Sequence, residues 1–338
     1  MNLFRLPPRH QLAFYLAAAV LAATAGCAQE PADGTGPEGP ADEITYLTSF
    51  GLFGRDAYAH VAAAKGFFAE QGLEVEIRPG TGTDGVKFVS AGKAHFAAVD
   101  FSGGLLQVAR ADLDVRAVAL IQQKSLAAIM ATTGSGIHRP SDLAGRKIAD
   151  IPASVVKLLF PTYAKLAGLD PATVTFINSN PQSLIATLNT AGIDAISQFV
   201  VGQPTVAAVT GRPVVVLPYS DYLADLPGNA LWTSGDLLRG NPGLVERFRT
   251  ALLKGLRYAL DHPDEAGVIL ARANPAADPR LAAQELVLMR PYAEAEPLGR
   301  IDGARIARAI AILQAAGAVP AGLTPERLVT DVRSTHPT

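Results

Sequence analysis

Hydrophobic and polar positions change their spacing along the chain in a way that predicts alternating strands and helices. Residues 44–48 form a β-type run, whereas apolar residues between positions 56 and 70 recur every third or fourth position, as on one face of a helix. Residues 73–77 alternate apolar and polar side chains, which is typical of a strand. A turn at residues 80–85 and a short helix up to Ser90 are expected to follow.

The same alternation continues through the middle of the chain. Further strands are predicted at residues 95–99, 115–121, 147–149, 174–177, 194–197 and 214–217, and further helices at residues 105–109, 155–167, 181–191 and 205–209. From Pro242 onward the spacing is helical, with one apolar stripe formed by Leu244, Val245, Phe248, Leu252 and Leu256. Strands that alternate with helices indicate βαβ units and therefore an α/β protein with mostly parallel sheet.

The first 26 residues have the pattern of an export signal. Arg5 and Arg9 precede an almost wholly apolar run at residues 12–25, which is shorter than the roughly 20 residues that cross a bilayer core. A basic start, a short apolar run and small residues before a cleavage point are the parts of a secretory signal peptide. We therefore predict a signal peptide over residues 1–26 and an exported protein. A retained membrane anchor is the alternative.

Cys27 is the only cysteine in the chain and directly follows the predicted signal peptide. Ala25-Gly26-Cys27 is similar to the end of a lipobox, in which the cysteine is lipidated, although Thr24 stands where that pattern prefers leucine. Ala23-Thr24-Ala25 also fits ordinary signal cleavage. We prefer lipidation at Cys27, since the single cysteine stands where a lipobox needs it. The protein would then be anchored to the cell membrane and face the periplasm or the exterior.

An acidic tether is predicted between the lipidated cysteine and the folded body, over residues 27–43. Residues 28–43 contain three prolines, three glycines, five acidic residues and no basic residue, a composition that favours a flexible and self-repelling segment. The whole chain has a formal net charge of −2. Because residues 1–26 carry two arginines and the tether carries five acids, the body from Ile44 onward is left with a charge of +1.

Composition then narrows the classes of function. The 338 residues suggest about two domains, and 49% hydrophobic residues are enough for a core. The near-neutral body and an aromatic content of 7% argue against a nucleic-acid-binding protein. One cysteine permits no intrachain disulfide and no multi-cysteine metal site, and the six histidines are scattered without metal-ligand spacing. We predict no metal and no cofactor.

Four blocks of sequence resemble, in the same order, a family of proteins that bind substrates for ABC importers. Residues 54–60 (Gly-Arg-Asp-Ala-Tyr-Ala-His) and 64–75 resemble the first βαβ unit of that family, and residues 90–97 resemble its step into the third strand. Residues 137–148 and 188–195 are similar to the start of its second lobe and to the step into a later strand. The family includes receptors for thiamine-pyrimidine precursors, nitrate, taurine and alkanesulfonates.

The resemblance implies a type II periplasmic-binding-protein fold, in which two α/β lobes close over a ligand in a cleft. Residues 44–130 with 230–335 would form the first lobe and residues 131–229 the second, with crossover segments at residues 128–133 and 229–234. The implied partners are a small-molecule ligand, an ABC permease and its ATPase, besides the membrane through the lipid anchor. No nucleic acid is implied, and a monomer is expected.

Candidate ligand-binding residues are those that follow the predicted strands, because ligands of open α/β sheets sit beyond the carboxyl ends of the strands. In the first lobe these are Phe50, Phe53, Arg55, Thr81, Thr83, Asp100, Ser102 and Gln122. In the second lobe they are Ser154, Asn178, Ser197 and Gln198, and Tyr219 and Trp232 are added near the second crossover.

The chemistry of these candidates favours a polar heteroaromatic ligand such as a thiamine-pyrimidine precursor. Aromatic and amide side chains outnumber basic ones, and Phe50 or Phe53 is suited to stack on a flat ring. Asp100 is a natural acceptor for an amino group, with helix capping as its competing role. Arg55 is suited to a carboxylate, sulfonate or phosphate, which keeps a nitrate, sulfonate or taurine receptor as the alternative.

Catalysis finds little support in the sequence. Neither a GxSxG motif nor a P-loop occurs. Related eukaryotic proteins that make the thiamine pyrimidine use a cysteine-rich motif and a reactive histidine, whereas the body of this chain has no cysteine and His60 falls inside the first predicted helix. We predict no enzyme and no catalytic residues. A pyrimidine-forming enzyme and a ligand-sensing domain are the alternatives from other classes.

Overall fold

A computed structural model describes residues 39–51, 53–152 and 154–331, without the side chain of Phe50. The predicted signal peptide, the candidate lipidation site Cys27 and most of the predicted tether lie outside these residues. None of the described helices combines the length and the apolar character that crossing a bilayer requires. The first strand begins at Asp42, within the stretch predicted as tether.

The described residues form twelve strands and eleven α-helices. In chain order the strands are β1 (Asp42–Leu47), β2 (Phe50–Gly51), β3 (Leu73–Arg78), β4 (Gly80–Thr81), β5 (Phe96–Asp100), β6 (Val115–Leu120), β7 (Ala127–Thr132), β8 (Lys147–Asp150), β9 (Thr175–Asn178), β10 (Ala195–Phe199), β11 (Val214–Pro218) and β12 (Asn229–Ser234). The helices are α1 (Ala57–Ala64), α2 (Gly85–Ser90), α3 (Phe101–Ala111), α4 (Val155–Leu166), α5 (Gln203–Thr210), α6 (Gly235–Gly240), α7 (Pro242–Asp261), α8 (Pro263–Ala273), α9 (Pro279–Ala293), α10 (Gly303–Ala315) and α11 (Pro325–Leu328).

Two five-stranded sheets carry the architecture. The first has the strand order β3–β1–β5–β12–β6 and the second the order β11–β7–β10–β8–β9. In each sheet four strands run in one direction, and the fifth, β12 or β7, is antiparallel to both of its neighbours. The prediction of an α/β protein with mostly parallel sheets is confirmed.

The two segments predicted as crossovers are themselves the antiparallel strands. Residues 128–133 overlap β7, and residues 229–234 coincide with β12. β7 was not predicted as a strand because all six of its residues are buried, so the segment has no apolar–polar alternation. The strands of the second sheet fall between residues 127 and 218, and the division of the chain into two lobes stays a prediction.

Two predicted helices differ from the observed structure. The helix expected at residues 181–191 is only a 3-10 helix at Ile185–Asn189. The helix expected at residues 56–70 is divided into a 3-10 helix at Gly54–Asp56, α1 and a second 3-10 helix at Ala69–Gln71. The division falls at Gly66, whose φ of 75° lies in the left-handed region that ends a right-handed helix.

The long helix α7 covers the first sheet with the apolar stripe that its sequence predicted. All five stripe residues are buried. Phe248, near the middle of the stripe, stacks on Phe96 of β5 with ring centroids 4.0 Å apart. A Cβ at Gly255 would lie 2.5 Å from the backbone oxygen of Tyr58 in α1, so this glycine permits the close approach of α1 and α7. This packing keeps the carboxyl ends of the first sheet free of α7.

Candidate functional site

A cavity of about 790 Å³ lies between the carboxyl ends of the two sheets. This volume is within the range of small-molecule binding sites. Its walls come from the loops that follow β1, β3, β5 and β6 of the first sheet and β8, β9 and β10 of the second, with a contribution from α9. The cavity is therefore where the topology of parallel strands predicts a ligand site.

Nine of the candidate residues line this cavity. They are Phe53, Arg55, Thr81, Thr83, Asp100, Gln122, Ser154, Ser197 and Gln198. The side chain of Phe50 is outside the described part of the structure, although its backbone pairs with Thr81 between β2 and β4. Ser102, Asn178, Tyr219 and Trp232 are not among the lining residues.

The two aromatic candidates near the second crossover are core residues. Trp232 has no exposed surface; its indole N–H donates to the backbone oxygen of Val99 over 3.1 Å, and its ring packs on Phe101. Tyr219 is equally buried and stacks on Tyr163 with ring centroids 4.1 Å apart. Both aromatic rings are thus used inside the protein, and neither faces the cavity.

Two small polar candidates also lie away from the cavity. Ser102 is fully buried in the first turn of α3. Asn178 is exposed at the end of β9, which is an edge strand of the second sheet. Each follows a predicted strand as the topological rule requires, but the first turn of a helix buries one and an edge position leaves the other in solvent.

Arg55 is buried at the cavity between acidic and aromatic groups. Its Nε lies 3.7 Å from a carboxylate oxygen of Asp56, and its backbone N–H donates to the Glu285 carboxylate over 3.3 Å. The guanidinium carbon lies 4.9 Å from the ring centre of Phe53 and 4.6 Å from that of Phe199. The guanidinium is therefore held between two rings and beside the Asp56 carboxylate, while the backbone N–H of Arg55 binds Glu285.

The two carboxylates beside Arg55 have further hydrogen bonds. Asp56 accepts from the hydroxyl of Ser49 over 2.9 Å, and Glu285 accepts from the hydroxyl of Thr205 over 3.1 Å. Burial raises the pKa of both carboxyls, while the positive charge of Arg55 works in the opposite direction. Arg55 thus has acidic groups of the protein beside its charge, whereas the anion-receptor alternative needs that charge for a ligand.

Glu285 reaches this cluster because α9 packs tightly on the loop after β1. A Cβ at Gly54 would lie 2.6 Å from the Cα of Ala282 and 2.9 Å from a carboxylate oxygen of Glu285, so only glycine allows the approach. Glu285 was not among the predicted site residues, since its contact with Arg55 spans 230 residues. Its helical neighbourhood gives no local signal for a site.

Asp100 caps α3 and lines the cavity. One carboxylate oxygen accepts from the backbone N–H of Gly103 over 3.1 Å. Burial raises the pKa of Asp100 to about 7, and the backbone N–H groups of Gly103 and Ser102 oppose this shift in part. The carboxyl is therefore partly protonated near neutral pH and has both a donor and an acceptor to offer, so capping and ligand contact are compatible roles.

Replacing Asp100 by asparagine is expected to remove part of the pH dependence of folding stability. The folded protein keeps the Asp100 carboxyl protonated up to about pH 7. The contribution of this group to the free energy of unfolding therefore falls as pH rises, by about 3 kcal/mol between about pH 5 and about pH 8. Asparagine keeps the helix cap and does not titrate. Chemical unfolding at both pH values measures the difference.

The matched control for this experiment is Asp302→Asn. Asp302 also caps a helix, by accepting from the backbone N–H of Arg305 over 3.1 Å, but hydrogen bonding lowers its pKa. Asp302→Asn should therefore lose as much stability as the wild type when the pH is raised. The same pH slope in wild type and Asp100→Asn would contradict the prediction.

Gln122 is part of the wall, and its amide is occupied. Its Oε1 accepts from the backbone N–H of Asn229 over 2.6 Å, and its Nε2 lies 3.3 Å from the sulfur of Met289. Asn229, at the start of β12, also lines the cavity. Asn229 was not among the predicted site residues.

The loop after β3 brings two threonines to the cavity. A Cβ at Gly80 would collide with the backbone oxygen of Thr48, and Gly82 has a φ of 75°, so both positions require glycine. Thr81 is exposed, whereas Thr83 is buried and its hydroxyl lies 3.5 Å from the amide nitrogen of Gln107. Only Thr81 therefore keeps its hydroxyl free for a ligand.

The wall from the second sheet is mainly apolar. The hydroxyl of Ser154 accepts from backbone N–H groups at the start of α4, and Oε1 of Gln198 accepts from the backbone N–H of Phe199. The apolar members of this wall are Ile151, Pro152, Val155, Val156, Pro181, Leu184 and Ile185. These residues were not predicted as site residues because an apolar residue after a strand has the same pattern as a core residue. Across the described ranges, no cluster of histidine, cysteine, aspartate and glutamate fits a metal ion.

Comparison with known proteins agrees with this architecture. The family described as NMT1/THI5 like matches residues 57–266. The riboflavin-binding protein RibY of Chloroflexus aurantiacus is 28% identical over 286 residues, which are 80% of each chain. The formylaminopyrimidine-binding protein of Halalkalibacterium halodurans is 24% identical over 212 residues, which cover 62% of this chain and 64% of that protein.

Solved structures give the same fold. The aliphatic sulphonate binding protein SsuA of Escherichia coli superposes with a TM-score of 0.69 at 15% identity, covering 87% of this chain and 92% of SsuA. The nitrate-binding protein NrtA of Synechocystis superposes with a TM-score of 0.67 at 13% identity, covering 85% of this chain and 84% of NrtA. The predicted type II periplasmic-binding-protein fold is confirmed.

Proposed function

Because the chain belongs to the NMT1/THI5-like family, we propose that it is the substrate-binding protein of an ABC importer and holds a small heteroaromatic ligand in the cavity between its sheets. The first candidates are a thiamine-pyrimidine precursor and a flavin. RibY and the formylaminopyrimidine-binding protein support this choice, since their names give ligands of these two classes.

The chemistry of the cavity wall is the main support for a heteroaromatic ligand. Most of the surface of the wall is apolar, and neutral polar groups such as Thr81, Gln198 and Asn229 lie within it. A flat ring with a few polar edge atoms suits this distribution. Phe53 is 40% exposed and adds an aromatic face at the edge of the cavity.

The charges at the cavity argue against the nitrate and sulfonate alternative. An anion receptor needs uncompensated positive charge or converging N–H donors. Arg55 is the one basic residue of the cavity lining in the described part of the chain, and it is set against Asp56 and Glu285. Asp100 adds a further carboxyl. Such a cavity favours a neutral or cationic ligand.

Thermal unfolding with added compounds tests this function. We expect the hydroxymethyl aminopyrimidine precursor of thiamine, riboflavin or both to raise the unfolding temperature, because a ligand at a hundredfold excess over Kd adds about 2.7 kcal/mol of stability. Nitrate, taurine and alkanesulfonates should have no effect. A shift with the anions alone would overturn the proposed ligand class.

Two phenylalanine variants locate the binding. Phe53→Ala removes a ring that lines the cavity, whereas Phe88→Ala removes a ring that is 37% exposed on α2 and does not line it. Calorimetric titration should show weaker binding to Phe53→Ala, by about tenfold if the ring stacks on the ligand, and wild-type binding to Phe88→Ala. Equal affinities of the two variants would contradict stacking on Phe53.

The same proposal includes export and closure. The signal peptide over residues 1–26 and lipidation at Cys27 rest on the sequence pattern alone. The lobes, at residues 44–130 with 230–335 and at residues 131–229, would close over the ligand and present the closed form to the permease. We propose that the protein acts as a monomer and performs no chemistry on its ligand.

A further inference from the structure

Two buried oxygen-bearing side chains meet at the carboxyl edge of the second sheet. β8 and β10 are parallel neighbours, with Ile196 beside Ala149, so the next position along places Ser197 beside Asp150. Asp150 is 1% exposed and Ser197 is 3% exposed. Ser197 lines the cavity, and Asp150 is the last residue of β8 before the loop that forms part of the cavity wall.

Neither side chain has a hydrogen-bond partner of normal geometry. Both carboxylate oxygens of Asp150 and the hydroxyl of Ser197 are without a partner among the residues that the structure describes. A buried polar group in this condition destabilises a protein, and the cost is largest for a charge. Because Ser197 lines the cavity and Asp150 lies directly beside it, a ligand in the cavity is a source of partners for this pair.

The polar side chains nearest Asp150 have other hydrogen-bond partners as well. The hydroxyl of Ser154 accepts from two backbone N–H groups of α4, and the hydroxyl of Tyr219 donates to a backbone oxygen of the same helix. The ammonium of Lys157 lies over the ring of Phe176, 5.7 Å from its centre. Burial raises the pKa of Asp150, whereas the nearby hydroxyls of Ser197 and Ser154, the backbone N–H of Ile151 and the charge of Lys157 lower it in part. No described cation pairs with the carboxylate.

We propose that Asp150 and Ser197 form a subsite that accepts hydrogen bonds from an amino group or ring N–H of the ligand. This inference rests on the proposed function and specifies which edge of the heteroaromatic ring faces the second sheet. A carboxylate beside a hydroxyl presents acceptors, so the complementary edge carries N–H donors. Each hydrogen bond to the charged carboxylate would favour an amino-bearing ring over an otherwise equal ring that lacks the amino group.

Calorimetric titration with two compounds tests the subsite. The probes are the hydroxymethyl aminopyrimidine precursor of thiamine and its deamino analogue. For Asp150→Asn we expect the affinity for the aminopyrimidine to fall at least about tenfold, since a hydrogen bond to a charged group is lost, while the affinity for the deamino analogue stays the same. Ser197→Ala is the second variant. It should also weaken the binding of the aminopyrimidine and not that of the deamino analogue, with a smaller loss of affinity than Asp150→Asn. Asp170→Asn, at an exposed carboxyl in the loop before β9, is the matched control and should bind as wild type.

Thermal unfolding at about pH 8 separates a binding role from a structural one. A buried carboxylate without a partner destabilises the ligand-free protein. In the absence of ligand, Asp150→Asn should therefore unfold at a higher temperature than the wild type. A lower unfolding temperature together with equal losses for both probes would overturn the inference, as would unchanged affinity for the aminopyrimidine. If the wild type binds no heteroaromatic compound at all, the proposed function fails and the subsite falls with it.

Discussion

Replacing Trp232 by alanine is expected to lower the free energy of unfolding by about 3–5 kcal/mol. The side chain is fully buried, and its ring packs on Phe101. A Cβ at Gly104 would lie 2.5 Å from this ring, so α3 is fitted closely around the indole. Alanine leaves a cavity and leaves the backbone oxygen of Val99 without its N–H donor. Because Trp232 is the only tryptophan, unfolding is best followed by circular dichroism.

The conservative variant Trp232→Phe separates the contributions. Phenylalanine retains a ring between β12 and α3 but loses the hydrogen bond to Val99, so a loss of about 1–3 kcal/mol is expected. Ligand affinity should stay at the wild-type level in this variant, since Trp232 does not line the cavity. A variant that folds with wild-type stability but loses its ligand would contradict the assignment of Trp232 to the core.

Local sequence patterns were sufficient to predict elements that have one buried and one exposed face, or that end at a glycine. The alternation at residues 73–77 corresponds to β3, and Gly72, which ends the preceding 3-10 helix, has a φ of 65°. β7 and β12 were not predicted as strands because residues on both of their faces are buried. A short buried segment without apolar–polar alternation does not reveal from sequence alone whether it is a strand or a connection.

The site was predictable where topology alone determines position. Asp100 and Ser197 were chosen because they follow strands, and both line the cavity. Tyr219 and Trp232 were chosen for their residue type near a crossover, and both pack inside the core. Glu285 required knowledge of how α9 packs on a loop far away in sequence. Local pattern thus predicts strand ends, whereas long-range packing decides which charges meet.

Replacing Arg55 by methionine is expected to lower the free energy of unfolding by about 3–5 kcal/mol, because it leaves two buried carboxyls without their cation. Asp56 is 0% exposed and Glu285 is 4% exposed. Methionine keeps much of the volume of the side chain, so the loss comes mainly from charge. Chemical unfolding at about pH 7.5 measures it. Since Arg55 lowers the pKa of both carboxyls, its removal raises their pKa further. The variant should therefore regain stability as pH falls.

Two further variants distinguish charge balance from ligand capture as the role of Arg55. Combining Arg55→Met with Glu285→Gln removes one of the unpaired carboxyls and should restore part of the lost stability. Arg280→Met changes an exposed arginine of the same helix as Glu285 and should stay within about 0.5 kcal/mol of wild type. If Arg55 served mainly to receive an anion, Arg55→Met would keep wild-type stability and lose only the binding of nitrate or sulfonates. A large loss of stability that Glu285→Gln relieves would instead mean that the guanidinium neutralises the wall of the cavity, which leaves that wall suited to an uncharged ring.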